Sequence, residues 1–158
     1  MIDELNIGDI APQFSLLNHE NKKILLSDFK GKWVIVYFYP KNNTPGCTIE
    51  SIGFSNYSKE FGNLNSIIFG VSADSVESHV KFRERNKLNI MLLSDPNKEV
   101  IKGYNSLGKR FLFGKDLEGV MRNTFLINPE GKIVYIWKKV NVLGHVDNVL
   151  KKLKELQK

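Results

Sequence analysis

Apolar residues along this chain fall into short runs typical of strands, separated by stretches with helical spacing. The run at residues 33–39 is apolar on both faces and rich in β-branched and aromatic residues, which predicts a buried central strand. Pro40 has no backbone N–H and ends that strand. Further strands are predicted at residues 66–72 and 90–93, and hairpins at residues 14–26 and 124–137.

Capping residues and helical periodicity predict helices between and after these strands. Thr44 suits the N-cap of a helix whose first residue is Pro45. Asp74-Ser75 would cap a polar helix that ends near residue 86, and a short helix is expected at residues 99–104. A C-terminal amphipathic helix is predicted from apolar residues spaced three or four apart, namely Val142, Val146, Val149, Leu153 and Leu156.

This order of elements predicts an α/β fold. Strands alternate with helices and are followed by a hairpin and a last helix, which indicates a mixed central sheet with helices on both faces and an N-terminal β-hairpin. Residues 105–121 show no clear element, and such a long irregular loop is often functional. At this length a single domain over residues 1–158 is expected, with a core that needs no disulfide or metal.

The charge pattern argues against nucleic-acid and membrane partners. The net charge is +6, but the lysines are scattered, and the one dense cluster, at residues 151–158, fits the solvated side of the last helix. Residues 1–5 have neither a basic start nor a long apolar run, so no signal peptide is expected. No stretch approaches the roughly 20 apolar residues of a membrane span.

Cys47 is the only cysteine, and it lies at the start of the helix that follows the central strand. A single cysteine excludes an internal disulfide and a multi-cysteine zinc site, and it favours a reducing, cytoplasmic location. Free backbone N–H groups and the helix dipole favour an anion at a helix N-terminus. We therefore expect Cys47 to be a thiolate, and a thiolate is a nucleophile.

The residues around Cys47 resemble the active-site pattern of the peroxiredoxins, which are thiol peroxidases with a thioredoxin-like fold. That pattern is Pro, three residues, Thr or Ser, two residues, Cys, and here it is Pro40, Thr44 and Cys47. The fuller string resembles the bacterioferritin comigratory protein (peroxiredoxin Q) branch. The similarity continues through residues 70–79, 93–96 and 122–133 and so covers nearly the whole chain.

The resemblance implies catalytic roles for Pro40, Thr44, Cys47 and Arg122. Cys47 would attack the peroxide, and Arg122 would hold the thiolate and the peroxide oxygens together. The Thr44 hydroxyl can accept and donate, which suits the peroxide's proton and lone pairs, besides its place as helix cap. Pro40 would shield the thiolate from water.

Two further residues have supporting roles beside these four. The backbone N–H groups of Gly46 and Cys47 are the first donors at the helix mouth, and Gly46 leaves room for a substrate. Glu50 has two open interpretations: an acid that the helix dipole favours weakly, or a partner that orients Arg122.

One departure from the branch concerns recycling. Many members carry a resolving cysteine five residues after the first, where this chain has Ile52. The predicted enzyme is therefore of the one-cysteine type: it reduces hydrogen peroxide and organic hydroperoxides, and thioredoxin, glutaredoxin or a low-molecular-weight thiol recycles it. The resemblance also implies that the first turn of the Cys47 helix unwinds during recycling. A monomer or weak homodimer without metal or cofactor is expected.

The missing resolving cysteine leaves a second hypothesis open. The protein could be a non-enzymatic redox sensor or binding module on the same fold, whose Cys47 is oxidised without efficient turnover. A thioredoxin-type disulfide reductase is excluded, because it needs a second cysteine. A Cys–His hydrolase is disfavoured, because none of the three histidines lies in a recognisable hydrolase motif. His79 and His145 are expected at the surface or as helix caps and not as ligands.

Overall fold

The computed structural model describes residues 4–158, apart from the side chains of residues 110–112 and 116. The strands are β1 (Ser15–Asn18), β2 (Lys23–Leu25), β3 (Trp33–Phe38), β4 (Ser66–Ser72), β5 (Met91–Ser94), β6 (Leu107–Leu112), β7 (Lys115–Val120), β8 (Asn123–Ile127) and β9 (Ile133–Trp137). The α-helices are α1 (Pro45–Asn56), α2 (Ser58–Asn63), α3 (Val76–Asn86), α4 (Glu99–Gly103) and α5 (His145–Leu156). A 3₁₀ helix, Leu26–Phe29, follows β2.

Seven strands form one mixed sheet in the order β2-β1-β5-β4-β3-β8-β9. The pairs β3–β4 and β4–β5 are parallel, and the remaining pairs are antiparallel. β3 lies between β4 and β8, and its residues 34–38 are buried, so the predicted central strand is confirmed. The two predicted hairpins, β1–β2 and β8–β9, are confirmed as well.

Helices cover both faces of this sheet, as predicted, although unequally. Alternate residues of β3 point to opposite faces, so that Ile35 and Val36 belong to different cores. The first core packs against α1, α2, α3 and α5 through Phe54, Phe61, Phe82 and Val149. The second core packs against α4 and the 3₁₀ helix through Ile101 and Leu26.

The absence of structure predicted for residues 105–121 is wrong. These residues form an antiparallel hairpin, β6–β7, that pairs from Leu107 with Val120 to Leu112 with Lys115. The turn between the strands is Phe113-Gly114, and both residues have positive φ, at 55° and 74°. Such a left-handed pair matches the twist of a two-residue hairpin. β6 and β7 lie outside the main sheet and carry charged residues. Their sequences therefore lack the alternation of apolar and polar residues that predicts a half-buried strand.

Helix boundaries differ from the prediction in two places. One helix was predicted to follow Thr44, whereas α1 ends at Asn56 and a second helix, α2, begins at Ser58. The last helix begins at His145, so Val142 precedes it. No helix among residues 4–158 combines the length and apolar character needed to cross a bilayer. The signal-peptide prediction rests partly on residues 1–3, which lie outside the described residues.

Candidate active site

The N-terminus of α1 lies at the carboxyl end of the central strand. β3 ends at Phe38, and Thr44 is the extended residue before α1, with φ −88° and ψ 150°. Pro45 is then the first helical residue and Cys47 the third. The backbone N–H groups of a helix's first turn have no partner within the helix, so those of Gly46 and Cys47 are available to an anion at this end.

A buried polar network holds the loop between β3 and α1. The Asn42 backbone N–H donates to Asp74 Oδ2 at 2.9 Å, and its side-chain oxygen accepts from the Tyr39 hydroxyl at 2.7 Å. Its amide donates to His79 Nδ1 at 3.0 Å, while His79 Nε2 donates to the Leu93 carbonyl at 2.9 Å. His79 is therefore buried in the structure, and its predicted place at the surface or as a cap is wrong. Burial lowers its pKa to about 4, so the ring is neutral.

The sheet register brings Arg122 to the same place. Arg122 directly precedes β8, which runs antiparallel to β3, and Asn123 pairs with Phe38 at the end of β3. The residue before β8 and the loop after β3 therefore meet at one edge of the sheet. The Arg122 carbonyl accepts from the Val140 N–H at 2.8 Å, which fixes the backbone there.

Arg122 bridges the sulfur of Cys47 and the carboxyl group of Glu50. Its Nη1 lies 3.4 Å from Cys47 Sγ and 3.0 Å from Glu50 Oε1. Cys47 is 0% exposed and Glu50 is 1% exposed, so the cation acts on both groups away from solvent. Coulomb interactions are much stronger in such a site than in water.

The pKa shifts of the site reflect burial and this shared cation. Burial raises the pKa of Glu50 to about 7, and the nearby Arg122 only partly offsets it. Burial would lower the pKa of Arg122, but the attraction of Cys47 and Glu50 outweighs burial and raises it. Arg122 is therefore a permanent cation in the site.

Gly46 provides room for the guanidinium of Arg122. A Cβ atom at Gly46 would lie 3.0 Å from Arg122 Nη2, which is closer than a normal contact, and 3.5 Å from Cζ. The sequence predicts that Gly46 leaves room for a substrate. In the structure, the side chain next to Gly46 is that of Arg122, one of the predicted catalytic residues. The absence of a side chain here allows Arg122 to reach the sulfur.

Gly46→Ala is expected to slow peroxide reduction by about tenfold to a hundredfold, because small displacements of a positioned group are costly. Alanine fits a helix better than glycine, so the melting temperature should not fall. The matched control is Gly62→Ala in α2, where a Cβ would meet nothing within 4 Å. Stopped-flow oxidation rates of both variants test this. Equal rates for Gly46→Ala and wild type would contradict the role of Gly46.

Thr44 directly precedes α1, and Pro40 lies in the loop between β3 and α1. The Thr44 hydroxyl donates to the Lys41 carbonyl at 2.8 Å and makes no side-chain cap hydrogen bond. With its hydrogen used in this way, the hydroxyl oxygen can only accept from an incoming peroxide. Pro40 is exposed, two residues after the end of β3.

His145 is a site residue that sequence reasoning missed. It was expected at the surface or as a cap, but it is 3% exposed, so that prediction is wrong. Its Nε2 lies 2.8 Å from Thr124 Oγ1 and 3.9 Å from Glu50 Oε2. Burial, reinforced by Arg122, lowers its pKa to about 4. One signal was available: His145 lies four residues before Val149 and so belongs to the apolar stripe of α5.

A groove of about 690 Å³ lies elsewhere, between β1 and α4. Neither Cys47 nor Arg122 lines it, so the buried cluster is the better candidate for chemistry. Among the side chains that the structure describes, no three of His, Cys, Asp or Glu are grouped as metal ligands.

Comparison with known proteins finds similarity over most of the chain. The model of the AhpC/TSA family matches residues 7–136. The chain is 42% identical over 152 residues to a putative peroxiredoxin bcp of Helicobacter pylori, covering 96% of this chain and 100% of that protein.

Two solved structures are similar over most of the chain. One is a cysteine-to-serine variant of PrxQ from Xylella fastidiosa, with a TM-score of 0.93, 34% identity and 99% of both chains covered. The other is a bacterioferritin comigratory protein from Xanthomonas campestris, studied for its alkyl peroxide reduction activity, with a TM-score of 0.89 and 36% identity over 92% of both chains.

Proposed function

The chain belongs to the AhpC/TSA family as a peroxiredoxin with a thioredoxin-like fold, and on this premise we propose that Cys47 is the sulfur with which it reduces hydroperoxides. Thiol peroxidases of this family use a hydroperoxide as oxidant and a thiol as reductant. The observation that carries the assignment to Cys47 is the 3.4 Å contact between its Sγ and Arg122 Nη1 inside a buried site.

The first step is an attack of the Cys47 thiolate on the terminal oxygen of the peroxide. A sulfur–oxygen bond forms and the oxygen–oxygen bond breaks, so that sulfur gives two electrons to the leaving alkoxide. Cys47 becomes a sulfenic acid, and the alkoxide leaves as an alcohol, or as water from hydrogen peroxide, once it takes a proton.

Arg122 and the helix mouth would stabilise the charge that moves in this step. Negative charge passes from sulfur to the distal oxygen, and donors aimed at that oxygen lower the barrier most. Arg122 Nη1 already lies beside the sulfur, and the N–H groups of Gly46 and Cys47 point out of the first turn of α1. We assign Thr44 the role of accepting a hydrogen bond from the O–H group of the peroxide, and Pro40 that of excluding water.

Recycling must use a thiol from another molecule, because Cys47 is the only cysteine. An external thiol would form a mixed disulfide with the sulfenic acid, and a second thiol would release the enzyme. Cys47 is 0% exposed, so such a thiol cannot reach the sulfur in this conformation. We therefore propose that the first turn of α1 opens in the oxidised enzyme.

Because the chain has no second cysteine to resolve the sulfenic acid, a redox sensor is the second candidate function. In that case Cys47 would be oxidised once and not turned over. For the enzyme we propose a monomer or weak homodimer in a reducing, cytoplasmic environment, where small thiols, thioredoxin or glutaredoxin supply the electrons.

Multiple turnovers are expected when peroxide consumption is followed with thioredoxin, glutaredoxin or a small dithiol supplied in turn. At least one of them should support steady consumption well beyond one peroxide per Cys47. Mass spectrometry of the oxidised protein, with and without the thiol, should show the sulfenic acid and the mixed disulfide. A single stoichiometric oxidation with every reductant would favour the sensor.

A further inference from the structure

One guanidinium serves two acidic groups in this site. Arg122 Nη1 contacts both Cys47 Sγ and Glu50 Oε1, and both partners are buried. If the thiol and the carboxyl group were both ionised, the cluster would carry an uncompensated negative charge. An unpaired buried charge costs several kcal/mol, whereas a group that can take up a proton avoids this cost. An ionised thiol should therefore favour the protonated form of the carboxyl group.

The surroundings of Glu50 provide no second cation. His145 faces it from α5 with Nε2 3.9 Å from Oε2, and it is neutral because its pKa is lowered to about 4. Tyr37 of β3 donates or accepts with Ser51 Oγ at 2.8 Å, and burial keeps its pKa well above its usual value. Within the described part of the chain, the groups facing Glu50 thus contain one charge, that of Arg122.

The second oxygen of Glu50 fits a protonated carboxyl group. Oε2 is buried and has no hydrogen-bond partner among the groups that the structure describes. An ionised carboxylate in this place would leave one oxygen without a donor in a dry site, and neutralisation relieves that penalty. The pKa of Glu50, raised to about 7 by burial, agrees with this geometry.

We propose, on the basis of the function proposed above, that Glu50 is a charge-compensating acid that is protonated while Cys47 is a thiolate and ionised once Cys47 is a sulfenic acid. In the reaction, the thiolate, the hydroperoxide and the protonated carboxyl group give the sulfenic acid, the alcohol and the carboxylate. The alkoxide gains one proton and Glu50 loses one, with solvent as the carrier. Arg122 exchanges a thiolate partner for a carboxylate partner.

The exchange keeps the buried cluster neutral before and after oxidation. It also keeps Arg122 paired when its sulfur partner loses its charge. Glu50 acts on the sulfur only through Arg122, and it is therefore a positioning residue. The proton count of the reaction distinguishes this role from a purely structural one.

The test measures proton uptake during a single oxidation of Cys47 by hydrogen peroxide, with a pH indicator in weak buffer at pH 6.5. Absorbance at 240 nm first establishes that the thiolate is present in each protein. Wild type should take up only about a quarter of a proton per sulfur oxidised, because Glu50 is about three-quarters protonated at this pH and supplies the rest. Glu50→Gln mimics the neutral acid but cannot release a proton, so it should take up about one proton per sulfur oxidised.

Controls make the result specific. Glu60→Gln, an exposed carboxyl group in α2, should behave as wild type. Wild-type uptake should also rise with pH between about pH 6 and pH 8.5, since Glu50 with a pKa of about 7 is then already ionised before the reaction. Equal uptake by wild type and Glu50→Gln, or a wild-type uptake independent of pH, would overturn the inference. If Cys47 of wild type is not oxidised at all, the proposed function fails instead.

Discussion

Cys47→Ser is expected to abolish peroxide reduction, with a loss of at least about 10³-fold in rate. A serine hydroxyl does not ionise near neutral pH and is a much weaker nucleophile than a thiolate, so Arg122 would have no anion to direct at the peroxide. The chain has no other cysteine that could substitute. Steady-state peroxide consumption with the best reductant, and single-turnover oxidation without it, both measure the loss.

The fold should tolerate this change. Serine is close to cysteine in size, and its hydroxyl can still accept from Arg122, so the melting temperature should change by only a few degrees. Thr48→Ser is a matched control in the same helical turn, because its hydroxyl can still donate to the Thr44 carbonyl as Thr48 does at 2.7 Å. It should react like wild type. Near-wild-type activity in Cys47→Ser would show that the chemistry lies elsewhere.

The parts of the fold that could be predicted are those where burial dictates the pattern. β3 is buried on both faces and was evident as an unbroken apolar run. Ser75 accepts from the Ser78 N–H at 3.1 Å as a true N-cap, as its residue type predicts. β6 and β7 were missed because their pairing lies outside the main sheet and their register depends on a left-handed turn at Phe113.

The candidate site divides in the same way. Cys47 and Thr44 could be predicted from a local motif, because helix capping and the position of the thiol depend only on neighbouring residues in the sequence. Arg122 lies 75 residues from Cys47 and could be proposed only through family resemblance, since the register of β3 with β8 brings it there. The contact of Arg122 with Glu50, at 3.0 Å, favours the interpretation of Glu50 as its partner. The approach of His145 to Glu50 depends on how α5 packs on α1, which no local pattern encodes.

Arg122→Ala is expected to slow oxidation of Cys47 by about 10²–10³-fold, the usual loss when one positioned donor to a developing anion is removed. The variant loses the cation that lies 3.4 Å from the sulfur and stabilises negative charge there. Its pH–rate profile should therefore differ from that of wild type. Stopped-flow rate constants, with thiolate absorbance at 240 nm on the same samples, separate ionisation from reactivity.

The slower oxidation of Cys47 in Arg122→Ala should reflect lost catalysis and not a failure of the variant to fold. Without Arg122 the buried Glu50 loses the cation that lowers its pKa, and the carboxyl group then remains protonated instead of carrying an unpaired charge. Arg122→Lys keeps a positive charge but cannot contact sulfur and carboxylate with one planar group, so an intermediate rate is expected. Arg85→Ala, at an exposed arginine of α3, should match wild type. An unchanged pH–rate profile in Arg122→Ala would remove Arg122 from the chemistry, and the 3.4 Å contact would then be only structural.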